Sequence, residues 1–152
     1  MADISRIERE MYSLTSSKYV PVTKVERINS DNLEWKVVFD GPEASAYEDW
    51  IFTIKFKFPQ NYPTNGPEAL FITKMFHPNV RESDQHVCIN LLNSWISQRT
   101  MEDVILGIID IMINPSTSGA YSNQATELLG KDPDAYYDKV EEYTYLHAKY
   151  AL

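Results

Sequence analysis

Leu33-Glu34-Trp35-Lys36-Val37-Val38-Phe39-Asp40-Gly41-Pro42, and after it Trp50-Ile51-Phe52-Thr53-Ile54-Lys55-Phe56-Lys57-Phe58, decide the fold class. In the first run Leu33, Trp35, Val37 and Phe39 alternate with Glu34, Lys36 and Asp40, and Asp40-Gly41-Pro42 closes it with turn residues. In the second, Trp50, Phe52, Ile54, Phe56 and Phe58 alternate with Thr53, Lys55 and Lys57. A period of two places one face of each strand on a core and the other in water. Pro59, Pro63 and Pro67 break up the next stretch, and Ala69 to Thr73 reads as a further short strand. Short links between strands imply an antiparallel meander of about four strands with one face on the core.

The period changes on either side of this sheet. Upstream, Ile4, Ile7, Met11 and Leu14 form one stripe of an amphipathic helix. Asp3 or Ser5 caps it, Ser5 with Glu8 having capping-box spacing, and it stops near Ser16-Ser17. Arg6 and Arg9 are expected on its solvent side. Downstream, Met75 to Arg99 has no sustained period, which marks a long loop ordered by Phe76, Val87, Ile89, Leu91, Leu92 and Trp95. Long ordered loops are where chemistry concentrates. Thr100 and Asp103 then open a helix apolar almost all round (Val104, Ile105, Leu106, Ile108, Ile109, Ile111, Met112), which must be buried and which Asn114-Pro115 stops. A short helix from about Ser122 to Leu129, ended by Gly130, precedes a last helix capped by Asp132 with Pro133 at its first position. On that last helix Tyr137, Val140, Tyr143 and His147 share one side. Helix, strands, loop and helices in this order give an α+β domain.

The chain of 152 residues carries 14 Lys and Arg against 22 Asp and Glu, a formal charge of −8. That length supports one substantial core, so residues 1–152 read as a single domain. No apolar run approaches a membrane span, and Met1-Ala2-Asp3-Ile4-Ser5-Arg6 lacks the apolar stretch of a signal peptide. With an acidic balance and no basic run, nucleic acid is not an expected partner, because that affinity comes from clustered Lys and Arg. The five glycines form no phosphate-cradling pattern. A single cysteine allows no internal disulfide and no Cys-rich zinc site, which points to a reducing compartment, cytosolic or nuclear.

That cysteine, Cys88, lies in Val87-Cys88-Ile89-Asn90-Leu91-Leu92. A lone cysteine among aliphatic residues is ordinarily a small buried hydrophobe. Three features move Cys88 toward nucleophile: its place in the long loop, the polar Asp84-Gln85-His86 leading into it, and His77-Pro78-Asn79 upstream. An Asn amide near a thiol can donate to the oxyanion formed when a thioester carbonyl is attacked. Two other chemistries compete. A Cys–His hydrolase would use His77 or His86, but His86, two residues from Cys88, points the other way on an extended segment. A metal site from those histidines and Asp84 would be thin.

Tyr62-Pro63, Phe76-His77-Pro78-Asn79-Val80, Cys88-Ile89-Asn90-Leu91-Leu92 and Trp95 resemble the core of the ubiquitin-conjugating enzymes. The resemblance runs over the whole chain, including the first helix, the Gly41-Pro42 turn with Tyr47-Glu48, the buried helix ending at Asn114-Pro115, and the closing Tyr145 to Leu152. It implies that Cys88 accepts ubiquitin or a ubiquitin-like protein as a thioester from an activating enzyme, then passes it to a substrate lysine or a ligase cysteine. It implies that Asn79 supports the oxyanion or the loop, that His77 is structural, and that Pro78 sets the turn. No metal or organic cofactor is expected, because the thioester itself stores the activation. Some domains of this fold are non-catalytic scaffolds that bind ubiquitin or a conjugating partner, but those as a rule lack the cysteine.

The chain also departs from the family. Thr64-Asn65-Gly66-Pro67 stands where many members have an aromatic residue and a Pro-Pro pair, and Ile96-Ser97-Gln98-Arg99 where many have Ser-Pro-Ala. In the family these two loops and the first helix receive activating enzymes and ligases, so Arg6, Arg9, Thr64, Ile96 and Ser97 are the expected contacts. Family members often carry an aspartate or serine beside the cysteine, where it orients the attacking lysine. The matching gate positions here are Asn90, Ser118 and Gly119, none of them acidic. Glu82, Asp84 or Glu127 would substitute if the fold brought one close.

Overall fold

The computed structural model describes residues 1–31 and 33–151. Leu152, the end of the closing segment that carried part of the resemblance, lies outside the described residues.

Helix α1 spans Ile4–Ser16, followed by β1 (Val22–Arg27), β2 (Glu34–Asp40), β3 (Trp50–Lys57) and β4 (Glu68–Phe71). All neighbours pair antiparallel in the order β1-β2-β3-β4, a meander. The period-two reading holds through the strand centres, where Trp35, Val37 and Phe39 of β2 and Phe52, Ile54 and Phe56 of β3 are fully buried, whereas Leu33 and Trp50 at the ends of the alternation are only partly buried. Burial of side chains this size is worth roughly 1.5–3 kcal/mol each. The outer face is a charge ladder in which Glu26 meets Lys24 at 3.2 Å and Lys36 at 3.8 Å, and Lys55 meets Glu34 at 3.8 Å.

The long loop contains α2 (Asn90–Asn93), and after it come α3 (Met101–Ile113), α4 (Gln124–Lys131), α5 (Pro133–His147) and β5 (Lys149–Tyr150). Two of these were not legible in the pattern. The four-residue α2 is too short to show a helical period. The two-residue β5 pairs Lys149 with Ile51 and Tyr150 with Trp50, adding a fifth strand to the expected four.

Several boundaries differ from expectation for physical reasons. Asp3, not Ser5, caps α1 by accepting from the Arg6 amide at 3.1 Å, so the Ser5–Glu8 capping box is not formed. The Thr100–Asp103 capping box of α3 is complete. On α3, Met101, Val104, Ile105, Ile108 and Met112 are buried, whereas Leu106 and Ile113 are about two-fifths exposed at 42% and 38%, so this helix has a solvent side. Helix α4 starts at Gln124 because the Asn123 side chain caps it, and it runs through Gly130 to Lys131. On α5 the buried stripe is Tyr136, Val140 and Thr144, with Tyr137 turned to solvent.

One buried carboxylate ties the N-terminal helix to the rest. Glu10 of α1 accepts from Arg6 Nε at 3.3 Å, from the Met101 amide at 2.8 Å, and from the Tyr62 hydroxyl. Burial, reinforced by that bond to Glu10, pushes the Tyr62 hydroxyl well above its usual range, so it remains a donor at physiological pH. Arg6 accordingly is not the free solvent-side residue expected. Its guanidinium also donates to the carbonyls of Ser97 and Arg99, at 2.5 Å each, bracing α1 against the loop before α3.

Candidate active site

The long loop is built as a clasp. The Cys88 amide donates to the Asn79 carbonyl at 2.8 Å, and the Asn79 side-chain amide returns a bond to the Cys88 carbonyl at 2.8 Å. Val80 and Val87 bridge beside it, both buried. Between these arms Arg81 grips Asp84 with two bonds of 2.9 and 2.7 Å, and Gln85 takes the left-handed conformation (φ 65°) that a tight reversal requires.

His77 fixes the other side of Asn79. Its Nδ1 accepts from the Asn79 amide at 2.9 Å, so the proton resides on Nε2, which donates to the Ile111 carbonyl of α3 at 2.6 Å. Burial of the ring depresses its pKa to about 4, outweighing the opposing effect of the Ile111 carbonyl. Pro78 is buried in this turn, and its carbonyl accepts from the Tyr121 amide at 2.9 Å. Asn123 donates to the carbonyls of His77 and Val80, at 3.3 and 3.0 Å.

A neutral, buried imidazole makes stability depend on pH. Unfolded His77 takes up a proton near pH 6.5, whereas the folded ring resists until about pH 4. Between those values the unfolded state binds more protons, so stability rises with pH across the window. The contribution is complete above pH 6.5 and lost as the pH falls toward 4, by about 3 kcal/mol in all. Denaturant unfolding of the wild type and His77→Gln at pH 7.5, 6, 5 and 4.5 checks this. The wild type loses stability more steeply than the variant, and parallel curves would refute it.

The thiol is half-buried. Its Sγ lies 3.9 Å from the Gly119 carbonyl and 3.3 Å from the Asn93 side-chain amide nitrogen. A cleft of about 260 Å³ opens beside it, lined by Asn79, Asn90, Asp110, Ser118 and Gly119 among others. All three expected gate positions therefore meet at one cleft. Gly119 is left-handed (φ +69°), and a Cβ placed on it would lie 3.8 Å from Asn90 Oδ1 across the opening.

Neither histidine touches the sulfur: His77 is locked as described, and His86 Nδ1 is 2.7 Å from the Tyr121 hydroxyl. The arrangement thus lacks the thiol–imidazole pair of a Cys–His hydrolase. Among the described residues no group of three or more His, Cys, Asp or Glu is placed to hold a metal ion. The three carboxylates expected as substitutes for a gate acid are engaged elsewhere: Glu82 accepts from the Gln124 amide at 2.9 Å, Asp84 holds Arg81, and Glu127 holds Lys131 at 2.7 Å. The acid that does line the cleft is Asp110 of α3, which nothing in its sequence context marked. Asn93 and Tyr121 were likewise missed. The only available signal for Asn93 was its being an amide five residues past the cysteine.

At the end of the molecule marked by Arg6, the Trp95 indole donates to the Pro63 carbonyl at 2.9 Å. Gly66 packs so closely under that ring that a Cβ would approach it to 2.6 Å. This contact and Arg6 join α1 to the two departing loops, leaving Arg9, Thr64, Ile96 and Ser97 on the surface. Among the described residues, no helix is long and apolar enough to cross a membrane.

An N-terminal helix, a four-to-five-stranded meander, a clasped loop presenting a thiol and a set of C-terminal helices define a cysteine transferase of the ubiquitin-conjugating fold. The family model described as "Ubiquitin-conjugating enzyme" matches residues 6–144, and the chain belongs to that family, whose members carry their cargo as a cysteine thioester. Among its relatives, ubiquitin-conjugating enzyme E2 6 of Arabidopsis thaliana is 34% identical over 146 residues, 95% of this chain and 78% of that protein. Ubiquitin conjugating enzyme E2 B of Dictyostelium discoideum is 29% identical, over 98% of this chain and 100% of its own length. A solved Toxoplasma gondii ubiquitin conjugating enzyme E2 domain has the same fold, with a TM-score of 0.85 at 22% identity, covering 95% of this chain and 99% of that one.

Proposed function

We propose that Cys88 is the acceptor: it takes ubiquitin or a ubiquitin-like protein from an activating enzyme and hands it on to a substrate lysine or a ligase cysteine. The observation that carries this reading is the half-buried Sγ, 3.9 Å from the carbonyl of Gly119 in the cleft that Asn90 and Ser118 also line, on a loop clasped by Asn79. In charging, the Cys88 thiolate attacks the thioester carbonyl on the activating enzyme. A new C–S bond forms, the old one breaks, and its electron pair leaves on the activating enzyme's sulfur. In discharge, an amine or thiolate attacks in turn and the pair returns to Sγ. Asn79 and His77–Pro78 hold the loop, and one N–H of the Asn79 amide remains to meet an oxyanion.

Arg9, Thr64, Ile96 and Ser97 form the surface for activating enzyme and ligase, with Arg6 as the brace beneath them. The domain acts over residues 1–152 and in the cytosol or nucleus, where a single catalytic thiol stays reduced. The test is charging with activating enzyme, ATP and several purified modifiers, read on a non-reducing gel. A thiol-labile adduct with one of them supports the reading. Noncovalent binding of ubiquitin with no adduct under any condition makes the chain a scaffold.

The charged protein is expected to transfer faster to cysteine than to lysine at neutral pH. A lysine amine, with pKa ~10.4, is almost wholly protonated there, whereas a thiol at ~8.5 is a few per cent thiolate. Asn90, Ser118 and Gly119 offer no base to the amine, and Asp110, the acid on the α3 side of the cleft, accepts from the Asn114 side chain at 3.4 Å. Ser118→Asp supplies one without straining left-handed Gly119, and raises lysine discharge about tenfold. Brisk lysine transfer by the wild type, unchanged in that variant, refutes this.

A further inference from the structure

We infer that Asn93 is a catalytic residue, its side-chain amide donating a hydrogen bond to the Cys88 sulfur as negative charge gathers there; this rests on Cys88 being the acceptor. The Asn93 amide nitrogen donates to Sγ at 3.3 Å, a close contact for a bond to sulfur. It is an independent group from Asn79, whose side-chain amide bonds the Cys88 carbonyl and not the sulfur. The two asparagines thus divide the labour: Asn79 clasps the backbone and keeps one N–H for the developing oxyanion, and Asn93 addresses the sulfur.

The local fold explains how Asn93 reaches back. Ile89 is extended (φ −131°, ψ 149°), α2 begins at once, and the Asn93 amide N–H closes that turn on the Ile89 carbonyl at 3.1 Å. One turn of helix therefore returns the Asn93 side chain to the sulfur. Gly119 and Asn93 line different grooves, the first with Asn90 and Ser118, the second with His86 and Trp95. The sulfur contacts a carbonyl on one side and an N–H donor on the other. The protonated thiol donates to the Gly119 carbonyl, and the thiolate accepts from Asn93. A donor on sulfur matters whenever negative charge gathers there: before Cys88 attacks in charging, and as the C–S bond breaks in discharge, when the electron pair leaves on Sγ and the attacking amine gives its proton to solvent. Hydrogen bonds to a charged acceptor are about twice as strong as neutral ones.

The test compares the full chain with Asn93→Ala, Asn93→Asp and Ser94→Ala. Ser94→Ala is the structural control, because it removes the hydroxyl bond to the Asn90 carbonyl at 2.8 Å from the same end of α2. The first readout is alkylation of Cys88 by iodoacetamide, followed by intact mass. Asn93→Ala is expected to react about threefold slower at pH 7, because the loss of thiolate is partly offset by its greater intrinsic nucleophilicity. The difference closes near pH ~10, where thiols are largely ionised in both proteins. Asn93→Asp is slower again, since its carboxylate repels the thiolate, and Ser94→Ala matches the wild type. In single-turnover assays Asn93→Ala discharges about tenfold slower. Asn93 is exposed, so its melting temperature should stay that of the wild type. Equal alkylation of Asn93→Ala and wild type at every pH, or equal slowing by Ser94→Ala, overturns the inference. Failure of the wild type to charge with any modifier, while alkylation still depends on Asn93, strikes the conjugation reading instead.

Discussion

Cys88→Ser charged under the same conditions as the wild type accumulates slowly as an oxyester that resists thiol reductant, and Cys88→Ala forms no adduct. The chain has no other cysteine, so no second thiol can substitute. Serine keeps the shape, and the Cys88 backbone bonds to Asn79 remain, so the fold survives. What changes is the leaving group: an alkoxide is far more basic than a thiolate, and onward transfer falls by at least about 10³-fold, the scale on which removal of a covalent nucleophile acts. Melting temperature and single-turnover discharge check both halves. An oxyester that transfers at the wild-type rate would show that the thiol is not the carrier.

Asn79→Ala slows discharge by about 10²-fold, the worth of one oxyanion donor. It also leaves the Cys88 carbonyl without its side-chain partner, in a place where Asn79 itself is only 6% exposed. An acceptor stranded in this way costs about 2 kcal/mol, or roughly 5 °C in melting temperature for a chain of this size. Charging should suffer less than discharge, because the activating enzyme supplies its own environment for that step. The two contributions separate in one experiment, with charging, discharge and melting followed on the same preparation. Equal losses in charging and discharge together with lowered stability would mean that Asn79 acts only through the loop.

Both predictions concern residues that stand out in the sequence, and that is no accident. Cys88 is unique, and His77-Pro78-Asn79 is a compact cluster of unusual side chains. Asp110 and Asn93 were illegible by contrast. Asp110 sits in an apolar helix run where one acid reads as the solvent face, and it meets the cleft because Gly107, Asp110 and Ile111 of α3 line it together with Ile89 and Gly119. Asn93 reads as a loop polar residue until a single turn of helix folds it back on the thiol. Arg6 illustrates the opposite error. Its helical position is exposed in isolation, but the carbonyls of Ser97 and Arg99, more than ninety positions away, claim its guanidinium.

What depends on local period and chain chemistry is written along the chain. The alternation in β2 and β3, the Thr100–Asp103 and Asp132–Pro133 caps and the amphipathic first helix follow from the repeat lengths of strand and helix, which need no distant partner. The tertiary structure alone decided where polar atoms find partners across the chain. Glu10 is an ordinary helical acid until Tyr62 and Met101 are brought to it, and β5 exists only because β3 offers an open edge at Trp50 and Ile51. The reason is energetic. A two-residue strand or a buried carboxylate has no stability of its own, since both need bonds that only the assembled fold supplies, whereas a periodic apolar face carries its instruction along the chain.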